Sequence, residues 1–308
     1  MFIIRSNDTS KAYLFLLVTT TSWGSLYVVS KYLMAYVPPL TMLMCRFAIA
    51  AAVLLPLARL KASGPTSRWC IERKDYRYLL LIGAFGYFGS IAAQTLGTQL
   101  ASAGLASLLN SLNPLFMVVF AVPILKERIT LAQAVSIGAA LVGVCVILGG
   151  DVGGNVVAGA VLSLISVAVW SFTSVSLRRF TKKYDPLAIT AYAMAIAFVF
   201  TAPFSVHEVL TAPNVDFFRA DVLLGLLYLG VVCTALTNVL WNTSLSLIEA
   251  GRCALFYPVQ PLVATLLGAL FLHETLQPSF FVGSLLIVGG VVFSVVAAPS
   301  KSKAVSSA

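Results

Sequence analysis

Long hydrophobic runs, separated by short groups of charged or turn-forming residues, dominate the chain. Between Tyr78 and Leu125, 48 residues pass without an Asp, Glu, Lys or Arg, which is enough for two helices of roughly 20 residues across a hydrocarbon core about 30 Å thick. Breakers such as Pro38-Pro39, Asp185-Pro186 and Pro278 mark the ends of several runs. The pattern predicts an all-α integral membrane protein with ten transmembrane helices, near residues 12–32, 38–58, 78–98, 102–125, 130–149, 156–177, 186–206, 221–245, 250–272 and 278–298.

The two halves of the chain repeat each other at an offset of 147 residues. Three of the six prolines in the first half fall on prolines of the second, where composition alone would give about 0.3 such matches. The matched pairs are Trp23 with Trp170, Pro39 with Pro186, Pro56 with Pro203, Gly83 with Gly230, Gly104 with Gly251, Pro114 with Pro261, Glu127 with Glu274 and Gly143 with Gly290. We therefore expect one five-helix repeat at residues 1–149, a second at 150–300, and a disordered tail at 301–308.

An odd number of helices in each repeat has a consequence for topology. The second copy must enter the membrane from the side opposite to the first, so the repeats are predicted to be inverted. The 20 Lys and Arg residues lie in the termini and in every second connection, with the exceptions of Lys31, Arg46 and Arg219. By the positive-inside rule, both termini are predicted to be cytoplasmic.

Two similar motifs close the fourth and ninth predicted helices, and two more segments accompany them. They are Asn113-Pro-Leu-Phe followed by Leu-Lys-Glu-Arg-Ile-Thr, Gln260-Pro-Leu-Val followed by Leu-His-Glu-Thr-Leu, Trp23-Gly24-Ser25, and Arg46-Phe47. With these motifs the chain resembles, over nearly its whole length, the EamA family of the drug/metabolite transporter superfamily. The resemblance implies an inverted-repeat transporter of the inner or plasma membrane, often exporting amino acids or related metabolites, with a cavity lined by helices 1, 3, 4, 6, 8 and 9.

Composition and charge exclude several other classes of protein. Hydrophobic residues make up 59% of the chain and charged residues only 10%, against about 25% charged in soluble domains. The net charge of +9 reflects topology, and no nucleic-acid partner is expected, because the basic residues lie between hydrophobic spans. The five cysteines lack metal-ligand spacing. We expect no metal and no cofactor; the expected partners are a small-molecule substrate and the lipid bilayer, around a monomer or weak oligomer.

Polar residues recur at three- and four-residue steps along helices one, three, six and eight, which indicates a face turned toward protein or water. Prolines in helices four and nine free backbone carbonyls beside further amides. The candidate substrate-binding residues on these faces are Trp23, Tyr87, Gln94, Asn110, Asn113, Trp170, Asn238, Trp241, Tyr257 and Gln260.

Structural roles compete with binding at each position. Ser and Thr in membrane helices commonly bond their own backbone, and Trp170 and Trp241 lie close enough to span ends to belong to an interfacial belt. Arg46 could attract a carboxylate, but a structural arginine that pairs with carbonyls or extends toward the interface is the preferred interpretation.

The charges near these faces favour a neutral or zwitterionic cargo. No Asp or Glu falls in the middle third of any predicted span, which disfavours cationic drugs. Arg46 is the one basic residue well inside a span, which disfavours organophosphates because these need several cations. An amino acid, with a lean toward hydrophobic or aromatic ones in the export direction, fits aromatic walls with amides and hydroxyls.

Coupling to protons is disfavoured, because His207, His273, Glu127, Glu249 and Glu274 all lie near span ends. Uniport or exchange by alternating access is therefore expected, with a proton-coupled drug or metabolite efflux pump as the alternative. Glu127 and Glu274 are predicted to hold helix termini. An integral membrane enzyme is a distant alternative, because no catalytic constellation is present. A receptor or channel also stays open.

Overall fold

The computed structural model describes residues 6–62, 71–125, 131–148, 153–211, 216–248, 253, 256–274 and 278–296, and within these ranges it is helical with no strand. Six helices are single: α1 Ser6–Leu33, α2 Pro39–Ala62, α5 Leu131–Leu148, α6 Gly154–Lys183, α7 Pro186–Thr211 and α9 Val259–Phe271. A seventh, α10, covers Pro278–Val296. Three are composite: α3 joins Tyr76–Leu81, Ile82–Gly89 and Ser90–Leu100, α4 joins Ala103–Asn110 and Asn113–Leu125, and α8 joins Ala220–Leu227, Tyr228–Leu236 and Thr237–Leu247.

Most of these helices are built to cross a bilayer. Seven are long and apolar enough by length and composition, and three shorter apolar helices accompany them at Ala134–Ile147, Val259–Phe271 and Pro278–Gly290, all within the described ranges. The predicted all-helical membrane architecture is confirmed. Ten crossings stay a prediction, and residues 301–308 and Glu127 lie outside the described residues.

Two predicted helices are interrupted. The predicted span 102–125 is broken by a turn at residues 111–112, just before Asn113 and Pro114. In the predicted span 250–272, the described residues form a helix from Val259 to Phe271, which follows a turn at residues 256–258 that ends in Pro258. Proline cannot donate a backbone hydrogen bond and clashes with the preceding turn, so both breaks fall where the sequence places it.

Hydropathy does not predict the π-helical segments in the middle of α3 and α8. They occupy Ile82–Gly89 and Tyr228–Leu236, about 147 residues apart. A π-helical turn widens the backbone and leaves carbonyls without their usual partner. In α8, Thr234 Oγ1 donates to the carbonyl of Leu229 at 2.6 Å, five residues earlier.

Contacts between the two halves are reciprocal. A Cβ placed on Gly83 would lie 2.6 Å from Ile196 Cβ, and a Cβ on Gly230 would lie 2.6 Å from Ile49 Cβ. Each residue of the first contact is offset by 147 from its counterpart in the second. Such an exchange of roles is the signature of a two-fold axis between equivalent surfaces.

The helices α5 and α10, which are equivalent to each other, show how this axis runs. A Cβ on Gly143 would lie 2.8 Å from the carbonyl of Gly283, and one on Gly290 would lie 3.1 Å from the carbonyl of Ser136. The later residue of α5 thus meets the earlier residue of α10, so the helices are antiparallel. A two-fold axis that relates antiparallel helices is perpendicular to them.

Candidate functional site

A cavity lies where the two halves meet, close to this axis. We call it the central cavity; its lining residues are Trp23, Leu26, Tyr27, Arg46, Ser90, Ile91, Gln94, Asn110, Ser166, Trp170, Cys233, Asn238 and Gln260. They come from α1, α3, α4, α6, α8 and α9, the helices that the family resemblance implied. Arg46 of α2 is an addition to that set.

The central cavity is narrow in this conformation. Its interior space is about 40 Å³, while one water molecule needs roughly 10–15 Å³. A ligand as large as an amino acid therefore requires the lining side chains or helices to move apart.

Five aromatic side chains form a continuous cluster that includes two residues of the cavity lining, Trp23 and Trp170, and extends behind it. We call it the aromatic cluster: Tyr87, Trp170, Trp23, Trp241 and Tyr257. Trp23 is in its middle, with ring centroids 6.5 Å from Trp170 and 5.3 Å from Trp241. Tyr87 lies 5.4 Å from Trp170, and Tyr257 lies 5.2 Å from Trp241. Tilted and edge-to-face contacts at these distances are the favoured arrangements of aromatic rings.

A directed chain of hydrogen bonds reaches the cavity from α6. Ser171 Oγ donates to Asn113 Oδ1 at 2.9 Å, and Asn113 Nδ2 donates to Asn110 Oδ1 at 2.8 Å. Asn110 Nδ2 then donates to Gln260 Oε1 at 2.9 Å. The chain fixes the orientation of each amide and leaves the Gln260 NH₂ group at its end.

Several buried polar atoms in or behind the cavity lining lack a partner among the described residues. Gln260 Nε2 is such a donor and Asn238 Oδ1 such an acceptor in the lining, and Trp241 Nε1 is such a donor behind it. Asn238 Nδ2 donates to the carbonyl of Thr234 at 2.8 Å, so the amide oxygen points away from that bond. A buried polar group without a partner is unfavourable by roughly 1–3 kcal/mol, which a bound polar ligand would recover.

Arg46 contradicts the structural interpretation preferred from the sequence. Its side chain is only 2% exposed, so it does not extend toward an interface, and among the described residues no backbone carbonyl accepts a hydrogen bond from it. Its Nε donates to Thr234 Oγ1 at 3.2 Å, and no carboxylate of the described residues forms an ion pair with it. The preferred interpretation was wrong, because the guanidinium lies at the cavity and not at the membrane interface.

The predicted site residues separate into two layers. Six line the central cavity: Trp23, Gln94, Asn110, Trp170, Asn238 and Gln260. The other four, Tyr87, Asn113, Trp241 and Tyr257, are at most 1% exposed and lie behind that lining. Trp170 and Trp241 are both buried in the protein interior, which excludes the interfacial belt for them.

Three residues of the site were not among the candidate substrate-binding residues. Arg46 lines the cavity, and Tyr27 accepts a hydrogen bond there from Gln94 Nε2. Asn242 donates to Thr190 Oγ1 at 2.8 Å and to Tyr87 OH at 3.3 Å. An ionisable residue in the middle of an apolar span was the signal for Arg46. Within the described ranges, no group of three or more His, Cys, Asp or Glu is placed to hold a metal ion.

Comparison with known families gives one family match that recurs. The model of the EamA-like transporter family matches residues 10–149 and again residues 157–296. Together the two matches account for most of the 308 residues.

Curated relatives are similar along most of their length. An uncharacterized transporter of Archaeoglobus fulgidus is 27% identical over 281 residues, covering 91% of this chain and 97% of the relative. The uncharacterized transporter YvbV of Bacillus subtilis is 28% identical over 279 residues, covering 87% and 86%. A solved crystal structure superposes with a TM-score of 0.67 at 22% identity, covering 96% of this chain and 99% of that chain, and shares the fold.

Proposed function

The chain belongs to the EamA-like transporter family and is a multi-span helical membrane protein, and from that premise we propose that it carries small neutral or zwitterionic metabolites by alternating access. Amino acids are the proposed cargo, with a lean toward hydrophobic and aromatic ones, in the export direction. The proposed location is the cytoplasmic (inner) membrane, crossed ten times, with both termini in the cytoplasm and residues 1–149 and 150–300 as the inverted halves.

One observation carries this proposal: the central cavity lies at the contact between reciprocal halves. Trp23 and Trp170 are equivalent residues that touch across it. Inverted repeats around a central site support alternating access, because rocking one half against the other exposes the site to each side in turn. The narrowness of the cavity supports the same mechanism, since cargo enters only when the halves move apart.

The chemistry of the lining supports the proposed cargo. No Asp or Glu is among the lining residues that the structure describes, so nothing in that part of the lining favours a cationic drug. The unpartnered Gln260 donor and the unpartnered Asn238 acceptor suit a solute that carries both kinds of polar group. The aromatic cluster provides apolar surface for a side chain.

Uniport or exchange is the proposed energetic mode. Among the described residues that line the cavity there is no His, Asp or Glu, the residues that proton-coupled carriers generally use inside the membrane. A gradient of the solute itself would then drive export.

A flux assay tests the proposal. Purified full-length protein in liposomes is loaded with labelled amino acids, and efflux is measured with and without a pH gradient, against protein-free liposomes as the control. Saturable efflux of hydrophobic amino acids without a pH gradient is expected. No saturable amino-acid flux would contradict the proposed cargo, and flux that depends on the pH gradient would indicate a proton-coupled pump.

A further inference from the structure

A buried cation without a counter-ion faces the central cavity. Arg46 has five N–H donors, and in the described chain it makes one hydrogen bond, from Nε to Thr234. Removing a charge from water without pairing it is energetically unfavourable. A bound anion would restore the missing partner.

The π-helical segment of α8 holds Arg46 in this position. Thr234 Oγ1 donates its proton to the carbonyl of Leu229, so its lone pair is free to accept from Arg46 Nε. That carbonyl belongs to the residue five positions before Thr234, which is the spacing of a π-helical turn. The hydrogen bond from Nε to Thr234 thus orients the guanidinium of Arg46, and its other N–H donors are available to a ligand.

The charge lies on one side of the pseudo-two-fold axis only. The position equivalent to Arg46 in the second half, offset by 147, is Ala193, which is buried. Thr234 is equivalent to Tyr87, a side chain of the aromatic cluster. The cavity therefore has a cationic group at Arg46, and the equivalent position in the second half carries no charge.

We propose that Arg46 binds the carboxylate of the transported solute, which makes the central cavity a site for small monocarboxylates, amino acids included. This inference rests on the proposed transport function and gives it a defined anion-binding group. A planar guanidinium with free donors matches a carboxylate in geometry and charge. Gln260 Nε2, also unpartnered in the cavity, is a second donor available to the solute.

Ligand titrations of the purified full-length protein test this subsite. Intrinsic fluorescence reports binding, because Trp23 and Trp170 line the cavity and Trp241 contacts Trp23. Three probes separate the groups of the solute: phenylalanine, its carboxamide, which lacks the carboxylate, and 3-phenylpropionate, which lacks the ammonium group. Wild type is expected to bind both carboxylates at least about 10-fold more tightly than the carboxamide.

Substitutions assign the effect to Arg46. Arg46→Gln should weaken both carboxylates by about 10–100-fold and leave the carboxamide unchanged. Arg46→Lys, which keeps the charge, should be intermediate. Thr234→Val, which keeps Arg46 but removes its hydroxyl partner, should weaken the carboxylates by about 5-fold, and covers the case in which Arg46→Gln does not fold. Arg77→Gln, at an exposed arginine, is the matched control and should change nothing.

The outcomes decide whether Arg46 binds the carboxylate of the solute. Equal binding of acid and carboxamide by wild type, or no binding of either carboxylate, overturns it, as does wild-type affinity for phenylalanine in Arg46→Gln. Arg46-dependent binding of 3-phenylpropionate supports it even where the liposomes show no amino-acid flux. In that case the proposed amino-acid cargo fails and the carboxylate subsite stands.

Discussion

Trp23 and Trp170 occupy equivalent positions in the two halves of the chain and meet edge to face, with ring centroids 6.5 Å apart and ring planes at 86°. Equivalent residues that touch must lie near the axis that relates the halves. The cavity between the halves therefore has a tryptophan from each half in its wall. Trp23 is additionally fixed by its Nε1, which donates to Thr237 Oγ1 at 3.0 Å.

The tryptophan pair should control affinity for the cargo. We expect Trp23→Ala and Trp170→Ala to raise the KM of liposome efflux by about 10-fold, since the ring surface that contacts an apolar side chain is lost. Trp23→Phe and Trp170→Phe, which retain a ring, should change KM by less. Phe172→Ala is the control, because Phe172 lies on the same helix α6 and is half exposed at the outer surface. Unchanged KM in both alanine variants would show that the cargo binds elsewhere.

The close approach of Gly83 to Ile196 should be intolerant of a larger residue. Gly83→Ala places a Cβ 2.6 Å from Ile196 Cβ and Cγ2, and overpacking of this kind destabilises by about 1–3 kcal/mol. We expect a lower thermal unfolding temperature in detergent, partly restored by Ile196→Gly, which removes both the Cβ and the Cγ2 that the new Cβ would meet. Gly230→Ala should behave alike, because Ile49 lies equally close.

The control for this contact is Gly138→Ala on α5. Nothing lies within 4 Å of a Cβ built there, and alanine has the higher helix propensity. Its unfolding temperature should stay equal to wild type or rise slightly. A loss at Gly138 as large as that at Gly83 would mean that helix contacts are not the cause.

Glu274 should stabilise the contact between the halves at the start of α4. Its Oε1 accepts from the backbone N–H of Ala103 at 2.8 Å, and its Oε2 accepts from that of Gly104 at 3.3 Å. This observation agrees with the predicted structural role of Glu274. His273, in the left-handed region with φ 51°, ends α9 and turns the chain toward this cap.

We expect Glu274→Ala to lower stability by about 1 kcal/mol, as the loss of a helix N-cap does. Glu274→Gln keeps an acceptor oxygen and should lose less. Thermal unfolding followed by size-exclusion chromatography measures the difference. If Gln is as harmful as Ala, the negative charge rather than the hydrogen bonds stabilises this terminus.

An exposed ion pair links the two halves at the start of α3. Lys183 Nζ lies 2.7 Å from Glu72 Oε1 and 2.7 Å from Asp75 Oδ2. Hydrogen bonds from Lys183 and Lys74 lower the pKa of Glu72 below its usual value. A carboxyl with a lowered pKa stabilises the folded state above the unfolded pKa of about 4.3, and this contribution is lost as pH falls through the lower folded value.

Lys183→Met should therefore lower the unfolding temperature slightly at pH 7, and the difference from wild type should shrink at low pH and in high salt. Lys74→Gln is the control, because Lys74 pairs with Glu72 within one half and leaves the link between halves in place. A difference that persists at pH 3 would show that Lys183 stabilises through packing instead of charge.

Periodicity predicted some features of the site better than others. The polar stripes of α1 and α6 contain Trp23 and Trp170, which line the cavity, because a helix that faces lipid on one side must turn its polar groups to the other. The same reasoning selected Trp241 of α8, although it is only 1% exposed and lies behind the lining. Spacing along a helix gives the face of a residue and not its depth.

Arg46 shows a different limit of prediction from the sequence. Its position inside an apolar span was visible, but whether a long side chain reaches the interface or the interior depends on which neighbours surround it. The π-helical segment that offers Thr234 as its partner leaves no mark in hydropathy, since the same residues would also suit a regular helix.

The sequence by itself determined that this protein is helical, lies in a membrane and consists of two related halves. The length and apolarity of the hydrophobic runs, and the repeat at an offset of 147 residues, can be seen without knowing how the chain folds. Only the tertiary structure decided which equivalent residues touch, where the axis runs, and that the guanidinium of Arg46 faces a cavity without a carboxylate among the described residues. Those facts depend on how distant helices pack, and packing is fixed by the whole set of interlocking surfaces rather than by any one segment.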